Sequence, residues 1–280
     1  MLVARHENEI SGTTDIAARF EFAARRTSNV IDGASVTGWF TEDFTLAELK
    51  TLRARERLPA LRPGNTVYDG QFEIPTLAEI VSLAQSATTR TGRRIGIYPE
   101  TKHPSYFAGI GLPLEATLVA QLHAAGYTGQ GAPVFIQSFE VDNLRALRRL
   151  TTLPLIQLIG DGAPADRSGL RYDDLMTPAG LAAIAAYADG IGPAKERIVP
   201  REPDGRLQVP TRLIADAHAA GLLVHPWTFR SENCFLPADY RAGADPAVHG
   251  DAAAEYRRFF ELGVDGVFSD YPAAAVAARA

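Results

Sequence analysis

Cysteine is almost absent. Cys234 is the only one, so no disulfide can close within the chain and the redox compartment stays open. No apolar run reaches the roughly 18 residues of a membrane-crossing helix, which argues against stable membrane insertion. Met1–His6 has neither the basic nor the apolar stretch of a signal peptide. Positive charge is not in excess either. With 28 basic against 33 acidic residues the net charge is −5, which leaves no electrostatic footprint for nucleic acid or an anionic bilayer. Lysine is scarcer still: of the 28 basic residues only Lys50, Lys102 and Lys195 are lysines, the rest being arginine. A lysine that persists in such a chain is either a chance survivor or is kept for its compact ammonium.

What is there is a globular composition, 46% hydrophobic and 22% charged, in 280 residues. That is enough for one full α/β barrel. From residue 94 onward short apolar runs alternate with amphipathic helical patterns, the signature of βα units on a parallel sheet. The runs are 94–98, 133–136, 155–159, 190–192 with its flanks, 222–225 and 266–268. The helices are expected over 114–125, 144–150, 181–186, 213–220 and 252–262. Leu2–Arg5 reads as one further strand, cut short by the start of the sequence. Between it and residue 94, two capping boxes, Thr45-x-x-Glu48 and Thr76-x-x-Glu79, each announce a helix. The stretch between them is turn-rich and reads as an excursion. Six periods and a stub fit either an open doubly wound sheet or a barrel short of its first strands.

In parallel α/β folds, reactive groups gather just past the C-terminal ends of the strands. Those tips carry Arg5-His6-Glu7, Glu100-Thr101-Lys102, Gln137-Ser138-Phe139-Glu140, Trp227 and Asp270. A histidine, a carboxylate and a lysine on one face suit phosphate chemistry assisted by a hard metal. Each also has a plainer reading. His6 could be a loop hydrogen-bonder, Glu100 a cap or a solvated acid, Lys102 a surface charge and Trp227 simple packing. Gln137 could be scaffold or substrate contact, and Asp270 could bind backbone at the rim. His225 reads as a satisfied structural histidine. His103, His123, His218 and His249 read as loop or helix-surface residues, and no arrangement around Cys234 makes it a nucleophile.

Several segments in fixed order resemble the glycerophosphodiester phosphodiesterases. LVARHENEISGTTD (2–15) is similar to the region of that family's second catalytic histidine. DGASVTGWFTEDFTLAELKTLRARER (32–57) looks like the insertion of its bacterial periplasmic branch. IPTLAEI (74–80), GIYPETKHP (96–104), IQSFE (136–140), HPWTFRSENCFLP (225–237) and DGVFSDYP (265–272) follow in the family's order. The resemblance implies a (β/α)8 TIM barrel as a single domain over residues 1–280, with an insertion at about 10–75. It further implies hydrolysis of a small glycerophosphodiester to glycerol 3-phosphate and an alcohol, with a divalent cation, calcium favoured and magnesium possible. His6 would be an acid/base group, Glu100 a metal ligand, Lys102 a partner for phosphate charge, and Trp227 with Gln137 substrate contacts.

The family's His-Arg-Gly motif and the Glu-x-Asp pair of its second strand would lie ahead of Met1. The barrel is therefore expected to be incomplete at its N-terminus, lacking the first strand, the first helix and part of the second strand. An extracytoplasmic location would follow only with a segment upstream. One surviving histidine and one metal carboxylate make a poor catalyst, so the chain by itself is expected to be nearly inactive. The alternative is a non-catalytic barrel remnant that binds a polyol phosphate or a partner chain.

Overall fold

A computed structural model describes residues 1–279. The chain folds as two compact units, Met1–Ile136 with Arg149–Leu153, and Gln137–Arg148 with Pro154–Ala280.

The first unit holds the hairpin of β1 (Thr27–Ile31) and β2 (Ala34–Gly38), and the helices α1 (Leu46–Leu49), α2 (Leu77–Thr91), α3 (Pro104–Gly109) and α4 (Glu115–Ala124). Both capping boxes form. The Thr45 hydroxyl accepts from the Glu48 N–H and the Thr76 hydroxyl from the Glu79 N–H, while each glutamate accepts the N–H of its threonine. Only the second box opens a long helix, and α2 closes on Gly92 in the left-handed region at φ +66°, as helix ends commonly do. The hairpin turns on Asp32-Gly33, both at positive φ (+50° and +81°), and the register pairs Ile31 with Ala34. That is the conformation a two-residue hairpin loop requires, and Asp-Gly supplies it cheaply. Ile10, Ile16, Phe22, Trp39, Leu49, Leu52 and Ile74 form a buried cluster of this unit. The turn-rich stretch between the boxes contributes Leu49, Leu52 and Ile74 to this cluster, the rest coming from residues ahead of the first box.

The second unit is built on a parallel sheet of β3 (Ile136–Ser138, which begins on the unit boundary), β4 (Leu155–Ile159), β5 (Gly190–Pro193) and β6 (Leu223–Val224), in sequential order. The helices are α5 (Val141–Leu150), α6 (Tyr172–Leu175), α7 (Pro178–Ile184), α8 (Leu213–Ala219), α9 (Ala252–Glu261) and α10 (Pro272–Arg279). All five helices expected from residue 114 onward occur within a few residues of their expected bounds. In β5, a Cβ on Gly190 would stand 2.7 Å from the Leu223 carbonyl oxygen, and one on Gly192 2.7 Å from a Leu158 methyl. The sheet closes that tightly only because these residues have no side chain.

Three expected strands are not strands. Leu2–Arg5 forms no strand; Val3 makes one antiparallel bridge to Thr76, with Ala4 N–H on the Pro75 carbonyl and Leu77 N–H on the Leu2 carbonyl. The 94–98 run is reduced to a single parallel bridge from Ile97 to Val134, and 266–268 is not a strand, although Phe268 N–H donates to the Pro226 carbonyl, Phe229 N–H to the Phe268 carbonyl, and the next residue, Ser269, bridges Phe229. With these segments contributing isolated bridges, the expected barrel is not closed among the described residues. The α/β architecture with a parallel sheet stands.

Candidate active site

The first unit brings three of the expected site residues together around a fourth, Glu7. The backbone pairing of residues 2–4 with 75–77 fixes where the chain leaves toward His6. His6 is well exposed, and its Nδ1 lies 2.8 Å from Glu7 Oε1. Lys102 Nζ lies 3.7 Å from the same Glu7 oxygen and 3.2 Å from Glu100 Oε1. Glu100 and Lys102 are two apart in an extended segment, so their side chains leave the same side of the backbone. Glu100 is largely buried and its Oε1 has no aligned hydrogen bond; the contact with Lys102 is an ion pair of imperfect geometry. Burial pushes the Glu100 carboxyl up, with Lys102 and His6 opposing.

A fifth residue joins them, one that the sequence presents only as a loop histidine. His103 has its Nε2 2.8 Å from Glu7 Oε2 and its Nδ1 2.6 Å from Asp32 Oδ2 at the hairpin turn. Burial alone would lower its pKa, but the hydrogen bonds to Asp32 and Glu7 carry it up to about 9. Burial would likewise raise Glu7, but hydrogen bonds from His103 and His6 and the charge of Lys102 hold it well below the ordinary carboxylate range. At neutral pH Glu7 therefore reads as an ionised carboxylate held by the His103 imidazolium. An exposed imidazole oriented by a carboxylate, beside a half-buried lysine, can move a proton and bind an anion.

Gln137 and Trp227 belong to the second unit. Gln137 is buried within β3. Trp227 stands just past β6, bridged to Ala194. Its Nε1–H donates to the Gly192 carbonyl at 2.7 Å, and its half-buried ring meets Phe139 edge-on at 5.6 Å. Asp270 pairs with Arg230 at 2.9 Å, and His225 is buried with its pKa lowered by that burial, in line with a structural role.

The residues at hand do not make a cation cage. Glu100 offers one buried oxygen, but no three His, Cys, Asp or Glu side chains gather as a metal site among the described residues. A calcium ion takes six to eight oxygen ligands, several of them carboxylate. Glu100 alone does not fit that demand.

The chain matches the sequence profile of the glycerophosphoryl diester phosphodiesterase family over residues 1–274. It belongs to that family. The glycerophosphodiester phosphodiesterase GDPD6 of Arabidopsis thaliana is 36% identical, over 97% of this chain and 72% of the relative. The glycerophosphodiester phosphodiesterase of Haemophilus influenzae is 26% identical, over 97% of this chain and 76% of its own length. Among solved structures, a chain from Silicibacter pomeroyi superposes with a TM-score of 0.62 at 18% identity, covering 99% of this chain and 78% of that one. The glycerophosphodiester phosphodiesterase of Agrobacterium tumefaciens gives 0.53 at 16% identity, covering 98% and 80%. At such identities these likenesses speak for the fold alone. No helix among the described residues is long and apolar enough to cross a membrane.

Proposed function

We propose that this protein acts on glycerophosphodiesters as a phosphodiesterase of the family to which it belongs, giving glycerol 3-phosphate and an alcohol. The observation that carries the reading is the His6–Glu7–Lys102–Glu100 cluster, in segments that carry the family resemblance. His6 is the acid/base group. In a hydrolytic cleavage of the P–O bond, one group takes a proton from the attacking water and another gives one to the departing alkoxide, and His6 serves one of these roles. Lys102 offsets the charge of the phosphate, and Trp227 and Gln137 contact the organic part of the substrate. The domain is a single catalytic one, residues 1–280, with 10–75 as its insertion.

A divalent cation, calcium before magnesium, would have Glu100 as one ligand and would need further carboxylates. Removing an acid/base group such as His6 is expected to cost ~10²–10⁴ in rate. The sparse ligand set also favours a second reading, binding of a polyol phosphate without turnover.

The deciding experiment incubates the chain with glycerophosphocholine and calcium or magnesium and follows glycerol 3-phosphate release. Release that His6→Ala removes supports the enzyme. No release, with glycerol 3-phosphate still bound, supports the second reading.

A further inference from the structure

Glu7 is shared by two histidines. It gives Oε1 to His6 Nδ1 and Oε2 to His103 Nε2, both at 2.8 Å. A hydrogen bond between sequence neighbours on an exposed surface does little to hold a ring, because both side chains keep several rotamers. Something must hold the carboxylate first. His103 can do so, because its side chain is only 15% exposed and its other nitrogen is anchored 2.6 Å from Asp32.

Both ends of that anchor lie at positive φ. Asp32 is at +50° because the two-residue hairpin turn requires it, and His103 is at +47° directly ahead of Pro104 and α3. At His103 such a backbone is uncommon and persists where its surroundings hold it, here with the hydrogen bonds to Asp32 and Glu7. A second strap, which does not touch Glu7, ties the hairpin to α3: Asn29 Nδ2 donates to the Tyr106 hydroxyl at 3.0 Å, and that hydroxyl donates to Glu42 at 2.6 Å.

We propose that Asp32 and His103 are positioning residues for His6, acting through Glu7. A doubly protonated His103 donates one N–H to each carboxylate and fixes Glu7. Glu7 then holds the His6 proton on Nδ1 and leaves Nε2 as the nitrogen open to substrate. A base oriented by a third group is the arrangement that makes an imidazole a directed acid/base. The inference rests on the reading of His6 as the acid/base group, and it gives the insertion a part in that group's geometry.

The test reads the His6 tautomer rather than turnover. The full 280-residue chain, labelled with ¹⁵N-histidine, is studied by long-range ¹H–¹⁵N correlation at about pH 8, with His6 assigned by His6→Gln. In the wild type, Nδ1 of His6 is expected at the pyrrole-type frequency and Nε2 at the pyridine-type one. In His103→Gln and in Asp32→Ala the two should exchange toward the Nε2–H form that free imidazole prefers. Tyr106→Phe, which cuts the second strap, should leave His6 as in the wild type and so controls for general loosening of the hairpin. Wild-type His6 already in the Nε2–H form would overturn the proposal, as would an unmoved Nδ1–H in both His103→Gln and Asp32→Ala. The catalytic reading fails separately, if His6→Ala leaves turnover intact in an active form of the enzyme.

Discussion

Replacing His103 by glutamine should cost stability in a pH-dependent way whose sign is fixed by its two carboxylate partners. The folded imidazole titrates at about 9 against 6.5 for a free one. At about 1.4 kcal/mol per pKa unit, the full shift corresponds to ~3 kcal/mol. Glu7 and Asp32 are themselves 48% and 37% exposed, so solvent and salt screen the pair and ~1–2 kcal/mol is the working figure. Because the folded pKa is raised, that contribution is fully present below the unfolded value of 6.5 and fades as pH climbs through about 9. Glu7 sets the acid limit. Its pKa is depressed, so its share is present above the ordinary carboxylate range and is lost as pH falls beneath it. The wild-type advantage should therefore plateau in mildly acidic buffer, shrink through pH 8 and vanish above about 9. The assay is urea unfolding followed by Trp39 fluorescence in a Trp227→Phe background, since Trp39 lies in the core of the first unit and Trp227 in the second. Added salt should reduce the difference. A gap between wild type and His103→Gln that is flat in pH, or that widens in alkali, would refute the reasoning.

Other expectations follow from single contacts. Thr76→Ala removes the capping box of α2 and should lower stability by about 1 kcal/mol in urea titrations, Thr76→Ser restoring most of it. Lys195 and Glu255 form a buried ion pair at 2.8 Å, so Lys195→Met alone should cost ~3–5 kcal/mol by leaving a buried carboxylate, and Glu255→Leu added to it should recover much of the loss. In an active form of the enzyme, Lys102→Ala should weaken inorganic phosphate binding by calorimetry about tenfold, on the order of one charge-assisted contact.

Part of the candidate cluster was legible in sequence, where it depends on local spacing. Glu100-x-Lys102 puts two charges on one side of an extended segment, and the helices announce themselves through apolar periodicity and threonine caps. Leu2–Arg5 and residues 94–98 misled for a physical reason. An apolar run becomes a strand only when a partner chain offers a continuous ladder, and Val3 and Ile97 each find one bridging residue. The contacts of His103 were hidden by distance: its partners Asp32 and Glu7 are 71 and 96 residues away, and no local pattern encodes that meeting. The Asp32-Gly33 turn, by contrast, was open to reading, since Asp-Gly after the β-branched Val30-Ile31 is a hairpin signal.

The scarcity of lysine gains meaning at this point. Each of the three sits against carboxylates: Lys50 Nζ is 2.6 Å from Glu79 and 3.7 Å from Glu73, Lys102 lies between Glu100 and Glu7, and Lys195 meets both oxygens of Glu255 at 2.8 and 3.0 Å over the Phe229 ring. A chain that uses arginine for nearly every other positive charge has kept an ammonium where two oxygens must be met by one compact centre. A guanidinium delivers its donors in a planar fork and needs more room than a point charge. At Lys195, only 4% exposed, that room does not exist without repacking Phe229. At Lys102 the two partners belong to separate segments and approach from 3.2 and 3.7 Å, so a fork that satisfied Glu100 would turn away from Glu7. Arginine at either position would keep the charge and lose the geometry, which makes charge alone an insufficient account of why these residues are lysine.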